Sequence, residues 1–167
     1  TGDEDTPIVL DISSALTDID GSETLAITIA GMPQGATLST GTNNGDGSWT
    51  LSSDQLAGLT LMPPRDSDAD FTLTVTATAT EQDGDRAAVS YQLPVVINGV
   101  ADEAKVVAGP VVGKEDMAIA LDLSVVSGDL DGSEDSLQIL VRDVPLGARL
   151  SAGTDNGDGT WTLSHTE

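Results

Sequence analysis

Apolar and polar residues alternate along several stretches of this chain. From Phe71 to Thr80, apolar side chains occupy every second position and threonines take the positions between them. A period of two buries one set of side chains and leaves the other in solvent, which is typical of a β-strand. Such patterns predict seven strands, at 8–12, 25–29, 36–40, 49–51, 59–61, 71–80 and 89–97. The sequence therefore predicts an all-β fold.

The segments between these strands are rich in turn residues. Residues 43–47 (NNGDG) predict a hairpin loop. Residues 53–58 predict one short helical turn, with Ser53 as its cap and Gly58 as its terminator. Pro94 has no N–H to donate to a neighbouring strand, so it places the last strand at a sheet edge.

The chain contains an internal repeat. The motif DIDGSE at 18–23 recurs 111 positions later as DLDGSE at 129–134. After one inserted residue, GDGSWTLS at 45–52 recurs 112 positions later as GDGTWTLS at 157–164. A repeat of about 111 residues has the size of one immunoglobulin-like sandwich.

This repeat predicts two tandem sandwiches of the immunoglobulin or cadherin type. Residues 1–102 form a complete seven-strand copy, and residues 103–167 form the first half of a second copy, its strands A to D. Nothing in the second copy matches residues 53–102. Four strands alone expose an apolar face and open edges, so we expect an outside partner to cover them. That partner is a neighbouring chain, a continuation of the polypeptide, or the far half of a domain split by a module inserted after Glu167.

Charge narrows the possible functions. The chain has 28 acidic and 6 basic residues, a net charge of -22, which excludes nucleic acid and disfavours contact with anionic membranes. It has no cysteine, so neither a disulfide nor a thiolate metal site is available to stabilise it. His165 is the single histidine, and no nucleophile and base can be paired around it, so we expect no enzyme. A glycosidase carboxylate pair is disfavoured because no groove of aromatic residues accompanies the acids.

Acidic residues cluster in the predicted loops. Counting strands A to G places the A–B loop (18–23) and the E–F loop (66–70) at the end where the chain leaves the first copy. Like charges this close repel by about 1 kcal/mol per pair even in water. Calcium relieves such repulsion, since it takes about six to eight oxygen ligands from flexible loops. The predicted ligands are Asp18, Asp20, Glu23, Asp66, Asp68, Asp70, Asp102, Glu115, Asp116, Asp129, Asp131 and Glu134. The alternative is a set of solvated acidic turns.

Two further acidic clusters carry weaker signals. Residues 82–85 lie in the predicted F–G loop, and the strand count places Glu4 and Asp5 near them, facing a preceding domain. Residues 155–159 are better explained as a hairpin turn than as a metal site. Trp49 and Trp161 occupy equivalent positions, which favours packing on a core over a sugar-binding platform.

These motifs together resemble the tandem extender repeats of giant RTX-type biofilm adhesins of Gram-negative bacteria. The resemblance rests on DIDGSE at 18–23, NGDGSWTL at 44–51, residues 66–78 and GVAD at 99–102. It implies an extracellular, cell-surface setting, neighbouring repeats as partners, and calcium that stiffens a spacer projecting a ligand-binding region for adhesion. The alternative within the same family is a calcium-dependent module that binds sugar or peptide.

Overall fold

A computed structural model of the protein describes residues 1–17, 21–128 and 137–164. The chain divides into two compact units, Thr1–Val100 and Ala101–Glu167. Strands and loops make up both units, with one short 3-10 helix at Ser53–Leu56 among the described residues. The predicted all-β fold is confirmed.

The first unit contains ten strands among its described residues. They are β1 (Gly2–Asp3), β2 (Ile8–Val9), β3 (Thr24–Ala30), β4 (Thr37–Leu38), β5 (Thr42–Asn43), β6 (Ser48–Ser52), β7 (Thr60–Met62), β8 (Phe71–Thr80), β9 (Arg86–Val95) and β10 (Ile97–Asn98). One sheet has the order β2-β7-β4 and the other β5-β6-β3-β8-β9, while β1 pairs in parallel with β10.

A single apolar core joins the two sheets of the first unit. Ile8 and Leu61 come from the smaller sheet, and Ile27, Leu51 and Leu73 from the larger one. All five are buried in one cluster. Two antiparallel sheets that share one core form a β-sandwich. The apolar alternation in the sequence therefore corresponds to the inward faces of both sheets.

The strand β8 follows its sequence pattern closely. Leu73 and Val75 are buried, whereas Thr72 on the other face is exposed. The strand pairs along its whole length with β9, from Phe71 opposite Val95 to Thr80 opposite Arg86. β9 is an edge strand, as Pro94 predicted.

Both predicted turns are present, but the N-cap of the helical turn lies one residue earlier than predicted. β5 and β6 pair around residues 44–47, so the predicted hairpin is confirmed. The helical turn after β6 is capped one residue earlier than predicted. The Gln55 side-chain oxygen accepts the backbone N–H of Ser52 at 3.0 Å, and Ser52 rather than Ser53 is the N-cap.

The hairpin loop holds one carboxylate in a local hydrogen-bond network. Asp46 Oδ1 accepts the Ser48 hydroxyl at 2.6 Å and the Ser48 N–H at 3.0 Å. The hydroxyl bond lowers the pKa of Asp46 below its ordinary value of 3.8, and the backbone bond lowers it further. Asp158 has the same two partners in Thr160, and its pKa is lowered in the same way.

We expect Ser48→Ala to raise the pKa of Asp46 toward 3.8, because the larger of the two stabilising bonds is lost. A depressed folded-state pKa contributes stability above the unfolded pKa, and that contribution is lost as pH falls through the folded value. Side-chain NMR titration from pH 2 to 6, a range of about two units either side of the ordinary value, measures the shift. Asp158 is the internal control and its titration should be unchanged. An Asp46 curve that does not move would contradict the assignment.

The strand directions show which loops share an end of the first unit. β10 leads to the exit at Val100, and β1 runs parallel to it. β9 therefore runs toward this exit end, β8 away from it and β3 toward it. The loop before β3 consequently lies at the opposite end, beside the 81–85 loop, since Thr24 pairs with Thr80.

Part of the second unit, the sheet of β13, β14 and β15 defined below, repeats the arrangement of β3, β5 and β6 in the first unit. The described strands of the second unit are β11 (Lys105–Ala108), β12 (Leu123–Val126), β13 (Gln138–Val141), β14 (Thr154–Asp155) and β15 (Trp161–Ser164). β11 pairs with β12, while β13 and β14 flank β15. The hydrogen bond from Met32 N to Gly47 O, 3.1 Å, recurs from Val144 N to Gly159 O, 3.0 Å.

Candidate metal centre

The exit end of the first unit is assembled from the first and last strands of that unit. The parallel pairing of β1 with β10 brings residues 4 and 5 beside the exit. The Glu4 N–H donates to the Asn98 carbonyl at 3.0 Å, which fixes the turn that follows β1. The E–F loop, 66–70, joins them because β8 begins at this end.

Glu4 is a buried carboxylate at the exit. Its side chain is 4% exposed, and Oε1 accepts the Val100 N–H at 2.6 Å. A Cβ built on Gly99 would lie 3.6 Å from Asp68 Oδ2 and 3.8 Å from Glu4 Oε1. The carboxylates of Glu4 and Asp68 therefore both approach the backbone at Gly99, where the chain leaves the unit.

Asp5 and Asp66 form a second pair of carboxylates at this end. The Asp66 N–H donates to Asp5 Oδ1 at 3.1 Å, and the two side chains offer oxygens within 4.8 Å of each other. Both residues have positive φ, 53° for Asp5 and 50° for Asp66. Such backbone strain in residues other than glycine is held in place by its surroundings and concentrates at functional sites.

The arginine beside these two carboxylates compensates little of their negative charge. Arg65 Nε lies 3.2 Å from Asp66 Oδ1, but the Arg65 side chain is 85% exposed. An exposed ion pair contributes about 0–1 kcal/mol, because water screens it. Asp66 itself is 9% exposed, so Arg65 offsets only part of the charge that is buried there.

Asp70 fixes the geometry of the E–F loop. Its Oδ1 accepts the Ile97 N–H at 2.9 Å, which ties the loop to the start of β10. A carboxylate has two oxygens and about four acceptor positions, so one N–H leaves most of its capacity for other partners.

The chemistry of this end suits a hard cation. The donors of Glu4, Asp5, Asp66 and Asp68 are carboxylate oxygens, two of them on nearly buried side chains. Calcium accepts such all-oxygen sets and tolerates ligands from irregular loops. Within the first unit, Asp5 and Asp66 place carboxylate oxygens close enough together for both to contribute to a metal site.

The structure separates residues that the strand count had grouped together. Asp66, Asp68 and Asp70 lie at the exit end, where the count placed them. Glu23 lies at the opposite end, directly before the Thr24–Thr80 pair, so its predicted position beside the E–F loop is wrong. Asp18, Asp20, Asp129, Asp131 and Glu134 lie outside the described residues.

Glu4 and Asp5 are two further residues whose location was predicted wrongly. They were placed near residues 82–85, and the structure puts them at the exit end instead. Their recurrence as Glu115 and Asp116 was the available signal. Asp116 has φ 59°, close to that of Asp5, and lies with Glu115 and Asp102 in the second unit.

Comparison of the chain with protein-family models, curated proteins and solved structures found no match. Among the described residues, no helix is long and apolar enough to cross a membrane.

Proposed function

We propose that this chain is a calcium-stiffened extender segment of a large extracellular bacterial adhesin, built from tandem immunoglobulin- or cadherin-like repeats. One observation carries the proposal. Two carboxylates, Glu4 and Asp66, are 4% and 9% exposed at the exit of the first unit, with Asp5 and Asp68 beside them. Neighbouring repeats are its partners in this role, and it performs no catalysis.

Burial makes these carboxylates expensive unless a cation accompanies them. Moving a charged group from water into a protein interior costs roughly several kcal/mol, even after the protein relaxes around it. Glu4, Asp5 and Asp70 accept backbone N–H groups from Val100, Asp66 and Ile97, and these hydrogen bonds offset part of this cost. A divalent cation supplies the missing charge and coordinates several oxygens at once.

Bound calcium would stabilise a chain that contains no disulfide. Extracellular domains commonly gain stability from disulfides, and this chain has none. A ligand that binds only the folded state stabilises it by mass action. In an adhesin made of such repeats, calcium bound at the exit of each repeat would restrict rotation between consecutive repeats. The protein would then remain extended.

We expect calcium to raise the melting temperature of the chain and EDTA to lower it. At a calcium concentration about 100 times the dissociation constant, the gain is about 2.7 kcal/mol. Calorimetric melting in calcium and in EDTA measures the effect, and isothermal titration gives the number of ions. Small-angle scattering in the same two buffers tests the spacer role, since a stiffened chain has the larger radius of gyration.

Matched variants separate a built site from general charge screening. The Asp5→Asn/Asp66→Asn variant should lose most of the response to calcium. The Asp83→Asn/Asp85→Asn variant removes the same charge from exposed positions in the 81–85 loop and should keep it. Equal melting temperatures in calcium and EDTA for the unchanged chain would refute calcium binding.

The alternative function, a calcium-dependent sugar- or peptide-binding module, predicts a different result. Trp49 packs against the core of the first unit and Trp161 is 8% exposed, so neither ring presents a fully open platform. An ion with an open coordination position, and calcium-dependent retention on immobilised glycans, would favour this module over a spacer.

A further inference from the structure

The second unit carries an open apolar groove. Its volume is about 610 Å³, and its lining includes Ile119, Leu121, Leu123, Ile139, Leu150 and Leu163. Ile119 and Leu121 are each 47% exposed. Large aliphatic side chains exposed side by side mark a surface that binds another apolar surface.

The first unit contains the same residues in a buried setting. Ile8 and Leu10 are the repeat counterparts of Ile119 and Leu121, and each is 5% exposed. The residue types are identical, so composition does not explain the difference in exposure.

Local backbone geometry does not explain the difference either. A Cβ built on Gly2 would lie 2.5 Å from Ile8 Cγ1, and one built on Gly113 would likewise clash with Ile119 Cγ1. Each glycine therefore lies against its isoleucine in the same way. The residues that cover these side chains differ between the two units. The neighbouring pairing differs as well, since β12 pairs with β11, whereas the counterpart residues 12–15 of the first unit form no strand.

In the first unit, the cover is the strand β7 and the residue before it. Ile8 pairs with Leu61, and the Leu10 N–H donates to the Leu59 carbonyl at 2.9 Å. Leu59 and Leu61 are both 0% exposed. The described part of the second unit, 101–128 and 137–164, has no sequence counterpart of 59–97.

We propose that this groove binds an extended polypeptide segment of the same repeat type as residues 59–97. Its first strand adds antiparallel to 119–121, and two alternate leucines, like Leu59 and Leu61, fill the groove. Main-chain hydrogen bonds give such strand addition its affinity, and the pockets for alternate side chains give it specificity. The proposal stands whether or not calcium binds the first unit.

Charge also favours this occupant over a second copy of the chain. Arg149 lines the groove, and the segment 59–97 carries six acidic residues against two basic ones. Two whole chains, each with a net charge of -22, repel each other. Two grooves packed face to face would also leave residues 119–121 without a paired strand.

Thiol labelling tests the proposal in the full chain, which contains no cysteine of its own. Ile119→Cys places a thiol in the groove, and Ile8→Cys places one at the covered counterpart. The probe is a synthetic peptide with the sequence of residues 53–98, and its control carries Leu59→Asp and Leu61→Asp. Maleimide reaction rates are measured with and without each peptide, at several chain concentrations.

Without peptide, the thiol at position 119 should react much faster than the one at position 8. With the probe at about ten times its dissociation constant, labelling at position 119 should slow about tenfold, because only the free fraction reacts. The control peptide should have no effect. Unchanged labelling with the probe, or equal protection by both peptides, would overturn the proposal. Slow labelling that depends on chain concentration without peptide would also overturn it, in favour of a second copy.

Discussion

Replacing Leu10 with alanine is expected to destabilise the first unit by about 3 kcal/mol, within the range of 2–5 kcal/mol for buried Leu→Ala changes. Leu10 is 5% exposed and belongs to the core shared by both sheets. Its removal leaves a cavity that the surrounding strands cannot close. The same change at Leu121, 47% exposed, should cost the second unit at most about 1 kcal/mol, since solvent already reaches the site.

Each unit contains one tryptophan, which makes the comparison measurable. Trp161→Phe leaves Trp49 to report the first unit, and Trp49→Phe leaves Trp161 to report the second. Urea unfolding followed by fluorescence then gives the free energy of unfolding of each unit separately. Similar losses at the two positions would show that Leu121 is covered in solution and would contradict the exposed groove.

The sequence predicted those elements that local physics determines. The alternation from Phe71 to Thr80 specified β8 and its buried face, because a period of two fits only an extended strand. The hairpin at 43–47 followed from residues that tolerate positive φ, and Gly45 and Gly47 both adopt it, at 83° and 80°. Neither prediction required knowledge of distant contacts.

The sequence predicted only in part which loops share an end, because an alternating pattern does not show the direction of a strand. Residues 36–40 were counted as one strand and residues 43–47 as the hairpin loop after it. The structure has two strands in this stretch, β4, which pairs with β7, and β5, which pairs with β6 in the other sheet and runs in the opposite direction. Because this reversal of chain direction between β4 and β5 was not counted, every loop before it was assigned to the wrong end of the first unit. Glu23 and Asp5 were therefore both assigned to the wrong end.

Local sequence patterns also could not predict which apolar side chains of the second unit are exposed. Ile8 and Ile119 have the same residue type and nearly the same local geometry, yet one is buried and the other half exposed. Burial depends on a strand that is distant in sequence, here β7, which pairs with β2. Residues 103–167 contain no sequence counterpart of β7.

Replacing Gly41 with alanine is expected to destabilise the first unit by about 3 kcal/mol, the sum of a strained backbone and an overpacked contact. Gly41 lies between β4 and β5, at the reversal that the strand count missed, and has φ 100°. A Cβ there would lie 2.8 Å from Leu51 Cγ and 3.1 Å from the Thr50 carbonyl oxygen. Leu51 is 2% exposed, so it has little room to move away.

Gly45→Ala is the matched control for this prediction. Gly45 also has positive φ, 83°, but a Cβ there meets nothing within 4 Å, so it should cost only the backbone term, about 1 kcal/mol. Urea unfolding in the Trp161→Phe background compares the two variants. Equal losses would mean that the close approach to Leu51 is absent in solution. A larger loss of stability at Gly41 would show that the chain reversal between β4 and β5 depends on this glycine. The reversal matters because it carries the chain from one sheet of the sandwich to the other.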